Sequence, residues 1–173
     1  LADTGQRWAY HTGAYQQLAS VVSSASGMTI NGFTNQNINN HIGMTGAWVS
    51  GVYYSKTRSM ARFGLLALNK GVWANDTLIH DANYWQNMVN TSQPYNEAYG
   101  YLWWLNGKNS YMAPGFQFQF NGSLIPNAPA DMFAALGKND QKIYVVPSKG
   151  LVVIRTGESA YGVALAFSPF DDQ

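Results

Sequence analysis

The stretch "KIYVVPSKGLVVIRT", Lys142 to Thr156, narrows the choice of fold more than any other. Two runs rich in β-branched and aromatic residues are joined through Pro147-Ser148-Lys149-Gly150. Runs of that composition, punctuated by Pro and Gly, form strands, and so short a link makes them antiparallel. Similar short runs come earlier: "YGYLWWL", "FQFQF" and "MFAAL". The Phe-Gln run alternates with period two, which predicts a half-buried strand. The second half of the chain therefore reads as a small antiparallel sheet.

The first half has helical periodicity. Tyr15, Leu18, Val21 and Val22 predict a helix over Ala14 to Ser26, stopped by Gly27. The clearest helix lies in "YYSKTRSMARFGLLALNKG", with Ser55 as cap, Met60, Phe63, Ala67 and Leu68 as its apolar stripe, and Gly71 after its end. Arg62 on that helix reads as a structural partner. Leu78 to Val89 predicts another helix, broken by the Asn, Ser and Pro residues of Asn90 to Asn96. Asn31 to Asn40 is Asn-rich and reads as a short helix or loop. Helices followed by strands give an α+β class. The expected organisation is one domain, 1–173, helical over about 1–95 and sheet over about 96–173, with no repeat or linker. Such a sheet must cover a hydrophobic face, yet the chain closes on "SPFDDQ" with no covering element. The expectation is a partial fold, completed by further polypeptide.

Composition removes several classes of function. Hydrophobic residues make up 46% and charged residues 11%, with a net charge of +1, which is globular and not disordered. Ten Lys and Arg against nine Asp and Glu, with no basic run, exclude a phosphate-neutralising stripe and hence a nucleic-acid partner. No stretch reaches the roughly 18 apolar residues of a membrane span. With no Cys there is no disulfide, thiolate metal site or Cys nucleophile. His11, His41 and His80 lack metal-ligand spacing, so no metal or cofactor is expected. Asp76, Asp81, Asp171 and Asp172 sit near turns, and Glu97 and Glu158 stand alone, so no carboxylate pair is evident. The 14% of aromatic residues fits a lined cleft or a thick core equally. Trp103 and Trp104 read mainly as core.

No nucleophile motif is present. There is no G-x-S-x-G, no phosphate-binding Gly loop, and no Ser with a Lys three residues later. Two clusters remain. In "RWAYHTGAYQQLA", Tyr10 and Thr12 stand directly before a helix. In "ALGKNDQKIYVVP", Gly137-Lys138-Asn139-Asp140-Gln141 opens a strand. Taken alone, Tyr10 reads as a helix-entrance aromatic and the second cluster as a turn with a solvated Lys.

Together and in this order, these segments resemble the serine hydrolases of the class C β-lactamase and penicillin-binding-protein superfamily. "YHTGAYQQLASVVSSASGMTI" resembles the Tyr-motif helix, and "HIGMTGAW" the loop after it. "YYSKTRSMARFGLLALNKGVW" is similar to the helix that in many members reads S-x-x-D-M-A-R-F-G-x-L. "YGYLWWL" resembles the next strand, and "FAALGKNDQKIYVVPSKGLVVIRTG" the strand pair with the third motif. The resemblance runs from about Arg7 to Gly157. It departs at Thr12, where Asn is common, at Lys138-Asn139-Asp140, where β-lactamases and transpeptidases have K-T-G, and at Ser59, where the helix has Asp. The first two departures suit the wider group of esterases, amidases and peptidase-like hydrolases better than β-lactam chemistry.

The resemblance implies a β-lactamase-like fold represented by its C-terminal half. The opening strands and the S-x-x-K helix, which precede the Tyr motif in the family, would be absent. It implies a Ser nucleophile upstream, an acyl-enzyme, Tyr10 as general base, and Lys138 as a second cation beside the upstream Lys, favouring the phenolate. Thr12, Asn139 and Gln141 would contact substrate, with an oxyanion donor near Gln141 or Lys142. The implied partners are a small-molecule or peptide-like acyl substrate and the missing N-terminal half, in a periplasmic or extracellular setting. The alternative is a non-catalytic hydrolase-like domain that binds a peptide or glycan.

Overall fold

The computed structural model describes residues 2, 3 and 5–158, so "SPFDDQ" with Asp171 and Asp172 lies outside the described residues. The chain forms two compact units, residues 11–80, and residues 1–10 with those from 81 onward.

In the first, α1 spans Thr12–Ser26 and ends at Gly27, whose φ of 69° returns its N–H to the Ser23 carbonyl. The expected apolar stripe is present, yet α1 buries no residue, and Leu18 and Val21 are exposed. The Asn-rich stretch is helical after all. It comprises α2 (Ile30–Thr34), a π-helical turn over Asn35–Asn39, and α3 (Asn40–Ile42). Its amides act as ties: Asn31 accepts from the Trp48 N–H and donates to the Trp48 carbonyl, at 2.7 and 3.1 Å.

Strands β1 (Gly46–Val49) and β2 (Val52–Ser55) form a hairpin that the expected strands do not include. Its loop is Ser50-Gly51, with φ of 49° and 77°. Positive φ at both central residues is the two-residue turn whose twist matches paired strands. Ser55 ends β2, and its hydroxyl donates to the Thr45 carbonyl. It therefore does not cap α4 (Thr57–Leu68), which starts at Lys56 without a side-chain cap. Leu66 packs with Ile42 and Met44 in this unit's core, ringed by Met60, Phe63, Tyr53 and Trp73. Arg62 donates to the Gly43 carbonyl, a structural role as expected. Strands β3 (Val72–Trp73) and β4 (Asp76–Thr77) follow. The Leu78 and Ile79 N–H groups both donate to the Gly71 carbonyl, which holds them outside any helix.

The second unit opens with α5 (Ala82–Met88), shorter than the expected Leu78–Val89. Asp81 caps it, accepting from the Asn83 and Tyr84 N–H groups at 2.9 and 3.0 Å. Of "YGYLWWL" only Trp104–Leu105 forms a strand, β5, because Leu102 turns the chain at φ 64°. Strands β6 (Ser110–Tyr111) and β7 (Phe120–Asn121) pair separately. Of "FQFQF" only Phe120 enters a strand. Phe116 and Phe118 stay exposed and meet each other and Phe120 edge-on or tilted, at 4.7–5.7 Å. Period two was present, but among the described residues no strand lies alongside Phe116 to Gln119 to use it.

Strands β8 (Phe133–Leu136), β9 (Lys142–Val146) and β10 (Leu151–Arg155) complete an antiparallel sheet in the order β10-β9-β8-β5. The turn between β9 and β10 is Pro147–Lys149 closed by Gly150 at φ 57°. Residues directly opposite in such a sheet share a face. Ala134 faces Trp104 and Tyr144, and Leu136 faces Lys142. Trp104, Ala134, Leu136, Lys142, Tyr144 and Val146 thus line one face. Leu105, Phe133, Ile143 and Val145 line the other, where Trp85 of α5 meets Phe133 edge-on at 6.4 Å.

Candidate active site

Tyr10 lies on the first of these faces. Its ring stacks on Trp104 at 5.9 Å and 22°, and meets Tyr99 edge-on at 6.2 Å. Trp8 approaches the same two rings edge-on, at 6.1 Å from Trp104 and 5.4 Å from Tyr99. Trp104 is almost fully buried, so it offers Tyr10 a fixed platform. Each such ring pair contributes about 0.5–1.5 kcal/mol beyond area burial. Tyr10 itself is half-buried, a phenol held by its ring with part of its surface open. Tyr99 was not singled out as a site residue, because its contact with Tyr10 exists only once distant segments meet.

The strand after this aromatic seat has an open edge. β5 reaches only Phe133 and Ala134, so among the described residues no strand lies on that side of Ala135 and Leu136. β9 differs, since Lys142 has Leu136 on one side and Arg155 on the other. The expected oxyanion donor at Lys142 therefore falls inside a ladder.

Lys138, Asn139 and Gln141 share the turn that joins β8 to β9. The Gly137 N–H donates to the Gln141 carbonyl at 2.7 Å, closing the turn. Asn139 and Asp140 both have positive φ, 58° and 63°, a conformation that Asn and Asp tolerate better than other non-Gly residues. Lys138 and Asn139 are exposed. Gln141 spends its side-chain amide on backbone: it donates to the Asn139 and Gly157 carbonyls and accepts from the Gly157 N–H. It shapes the turn. Thr12 is the first residue of α1, in the other unit, and is exposed.

A buried charge cluster underpins this turn. Lys142 Nζ lies 3.2 Å from Asp140 Oδ1 without hydrogen-bond geometry, and Arg155 lies 3.3 Å from Oδ2. Arg155 also donates to the Asp140 carbonyl at 2.9 Å. The Lys142 side chain is 0% exposed and that of Asp140 4%. A two-residue spacing of opposite charges was the only signal for it in the sequence. Among the described residues no group of three potential metal ligands occurs, and no helix is long and apolar enough to cross a membrane.

The second unit is thus an antiparallel sheet with a helix on one face and an aromatic-seated tyrosine on the other. A protein of known structure shares the fold. It is described as "Putative 6-aminohexanoate-dimer hydrolase from Bacillus anthracis", with a TM-score of 0.67 and 20% identity over 95% of this chain. The chain spans 41% of that protein's length. At this identity the likeness is one of fold. No family model matches the chain, and no curated protein sequence matches it.

Proposed function

We propose that the chain is part of a serine hydrolase related to the β-lactamases and penicillin-binding proteins. It cleaves an ester or amide through an acyl-enzyme. Tyr10 is the general base, and the nucleophilic Ser and its Lys lie in polypeptide outside this sequence. The observation that carries this reading is the seat of Tyr10, a half-buried phenol stacked on Trp104 and packed against the buried cluster that includes Ala134 and Leu136 of β8. The fold shared with a protein described as a hydrolase supports it.

In this mechanism the phenolate takes the Ser proton as its oxygen attacks the carbonyl, and the phenol returns a proton to the leaving group. A phenol of ordinary pKa, about 10, is a weak base at neutral pH unless cations favour the phenolate. The upstream Lys is the main cation. Lys138 adds a smaller, screened contribution because it is exposed. The open β8 edge at Ala135 and Leu136 suits an oxyanion donor better than β9 does. Thr12 and Asn139 remain the substrate contacts of this reading, and the setting is periplasmic or extracellular.

A fluorophosphonate probe tests it. The full-length polypeptide containing this sequence is labelled at a Ser outside residues 1–173. Tyr10→Phe slows labelling about 100-fold or more and leaves the urea midpoint unchanged. A label on a Ser within the sequence, or a near-normal rate in Tyr10→Phe, would overturn the proposal.

A further inference from the structure

Between Arg7 and Lys56 the chain carries no Asp, Glu, Lys or Arg. This span holds α1, the Asn-rich helical turns and the β1–β2 hairpin, all in the unit of residues 11–80. A helix face that meets water normally carries charge, whereas neutral side chains can be covered without burying an unpaired ion. α1 has 15 residues and buries none of them. A helix of that length is marginal in water unless one face is packed. Ala14, Leu18, Val21 and Ala25 are exposed and recur at helical spacing along one face. The hairpin is apolar on both faces. Trp48 and Tyr53 turn inward, where the indole N–H donates to the Thr34 hydroxyl and the phenol to the Asn39 side-chain carbonyl. The opposite face pairs Ala47 with Tyr54 and Val49 with Val52. Val49, Val52 and Tyr54 are 50–62% exposed. A hairpin with one face in water alternates apolar and polar, and this one does not. The two surfaces adjoin at the hairpin turn, where a Cβ on Gly51 would lie 3.0 Å from the side-chain nitrogen of Gln16 in α1.

We infer that these two surfaces are the interface with the polypeptide outside this sequence that carries the Ser and its Lys. Size argues for that occupant. This chain matches 41% of the length of the protein that shares its fold, so the greater part of such a fold is polypeptide that this sequence does not contain. Connectivity argues for it too. α1 begins two residues after Tyr10, so a segment that brings a Ser to Tyr10 arrives at the start of that helix. The covering face is itself apolar, because the surface offers it no charge to pair with. This inference rests on the hydrolase reading above.

The test uses the full-length polypeptide carrying Leu18→Cys or Val52→Cys, treated with a maleimide, with the labelled peptide identified by mass. In the folded protein each thiol should react about 100-fold more slowly than in urea, because labelling waits for local opening. A rate within about threefold of the unfolded rate overturns the inference. Protection that is lost on dilution means a second copy and overturns it too. So does protection that needs added phosphatidylcholine vesicles, which means a lipid surface. If neither variant folds, nitration of Tyr54 by tetranitromethane in the unsubstituted protein decides. Resistance in native buffer upholds the interface, and ready nitration overturns it. The fluorophosphonate reaction is run on the same samples. Protection without that reaction sinks the hydrolase reading and leaves the interface standing, and an adduct with unprotected thiols does the reverse.

Discussion

Asp140→Asn isolates the charge at the base of the β8–β9 turn from everything else there. Asn has nearly the same size and tolerates the positive φ of 63°, so the backbone conformation is kept. What changes is that the Lys142 ammonium, 0% exposed, loses its carboxylate. Breaking a buried pair by removing one partner costs about 3–5 kcal/mol. The pair with Arg155 adds little, because that side chain is 37% exposed and water screens it. The expected loss is about 3 kcal/mol, at the low end of that range because the Asn carbonyl still faces Lys142 as a dipole. With a urea dependence of about 2 kcal/mol/M, the midpoint falls by about 1.5 M. Tryptophan fluorescence reads this directly, since Trp8 and Trp104 lie in the same unit. Adding Lys142→Met to Asp140→Asn should recover part of the loss, because the buried ammonium that faced the carboxylate is then removed as well. A midpoint shift under about 0.3 M, or a double variant no better than the single, would refute the argument.

Other substitutions probe the scaffold around the site. Asp81→Ala removes the cap of α5 and should cost about 1 kcal/mol in urea unfolding, with faster amide exchange at Asn83 and Tyr84. Gly100→Ala would place a Cβ 2.2 Å from the Met88 carbonyl oxygen, so it should cost about 2 kcal/mol or more and lower the yield of folded protein. Asn106→Ala strips the carbonyls of Ile125, Ala128 and Pro129 of their shared donor and the Ile125 N–H of its acceptor. A thermal or urea melt should show a loss of about 3 kcal/mol.

Elements with one strong local signal were legible in the sequence. α1 and α4 announce themselves by period, and β9 and β10 by composition and the Pro-to-Gly link. The misreadings share a cause, which is a local signal spent on a non-local partner. Ser55 has the chemistry of a cap but bonds to Thr45 across the hairpin. The Phe-Gln run alternates like a strand, but among the described residues only its last residue, Phe120, pairs with another strand, at Tyr111. Leu78 continues a helical pattern, yet its N–H closes on Gly71. The same reason explains the site. Tyr10 could be singled out by its place before a helix, but Tyr99 and Trp104, which hold it, lie far along the chain. The Asp140–Lys142–Arg155 cluster likewise needs the turn before β9 and the far end of β10 brought together.

The discontinuity of the second unit has a kinetic consequence. Its first ten residues and its sheet are separated by the whole of residues 11–80. The Ser50-Gly51 hairpin closes over two residues, and such hairpins form in about 1–10 μs. The docking of Trp8 and Tyr10 onto Trp104 closes a loop of a different order, and the entropy of that closure is lost before any ring contact offsets it. The aromatic seat is therefore assembled late, after the sheet that provides its floor. A refolding experiment would see the hairpin first and the tyrosine's arrival last.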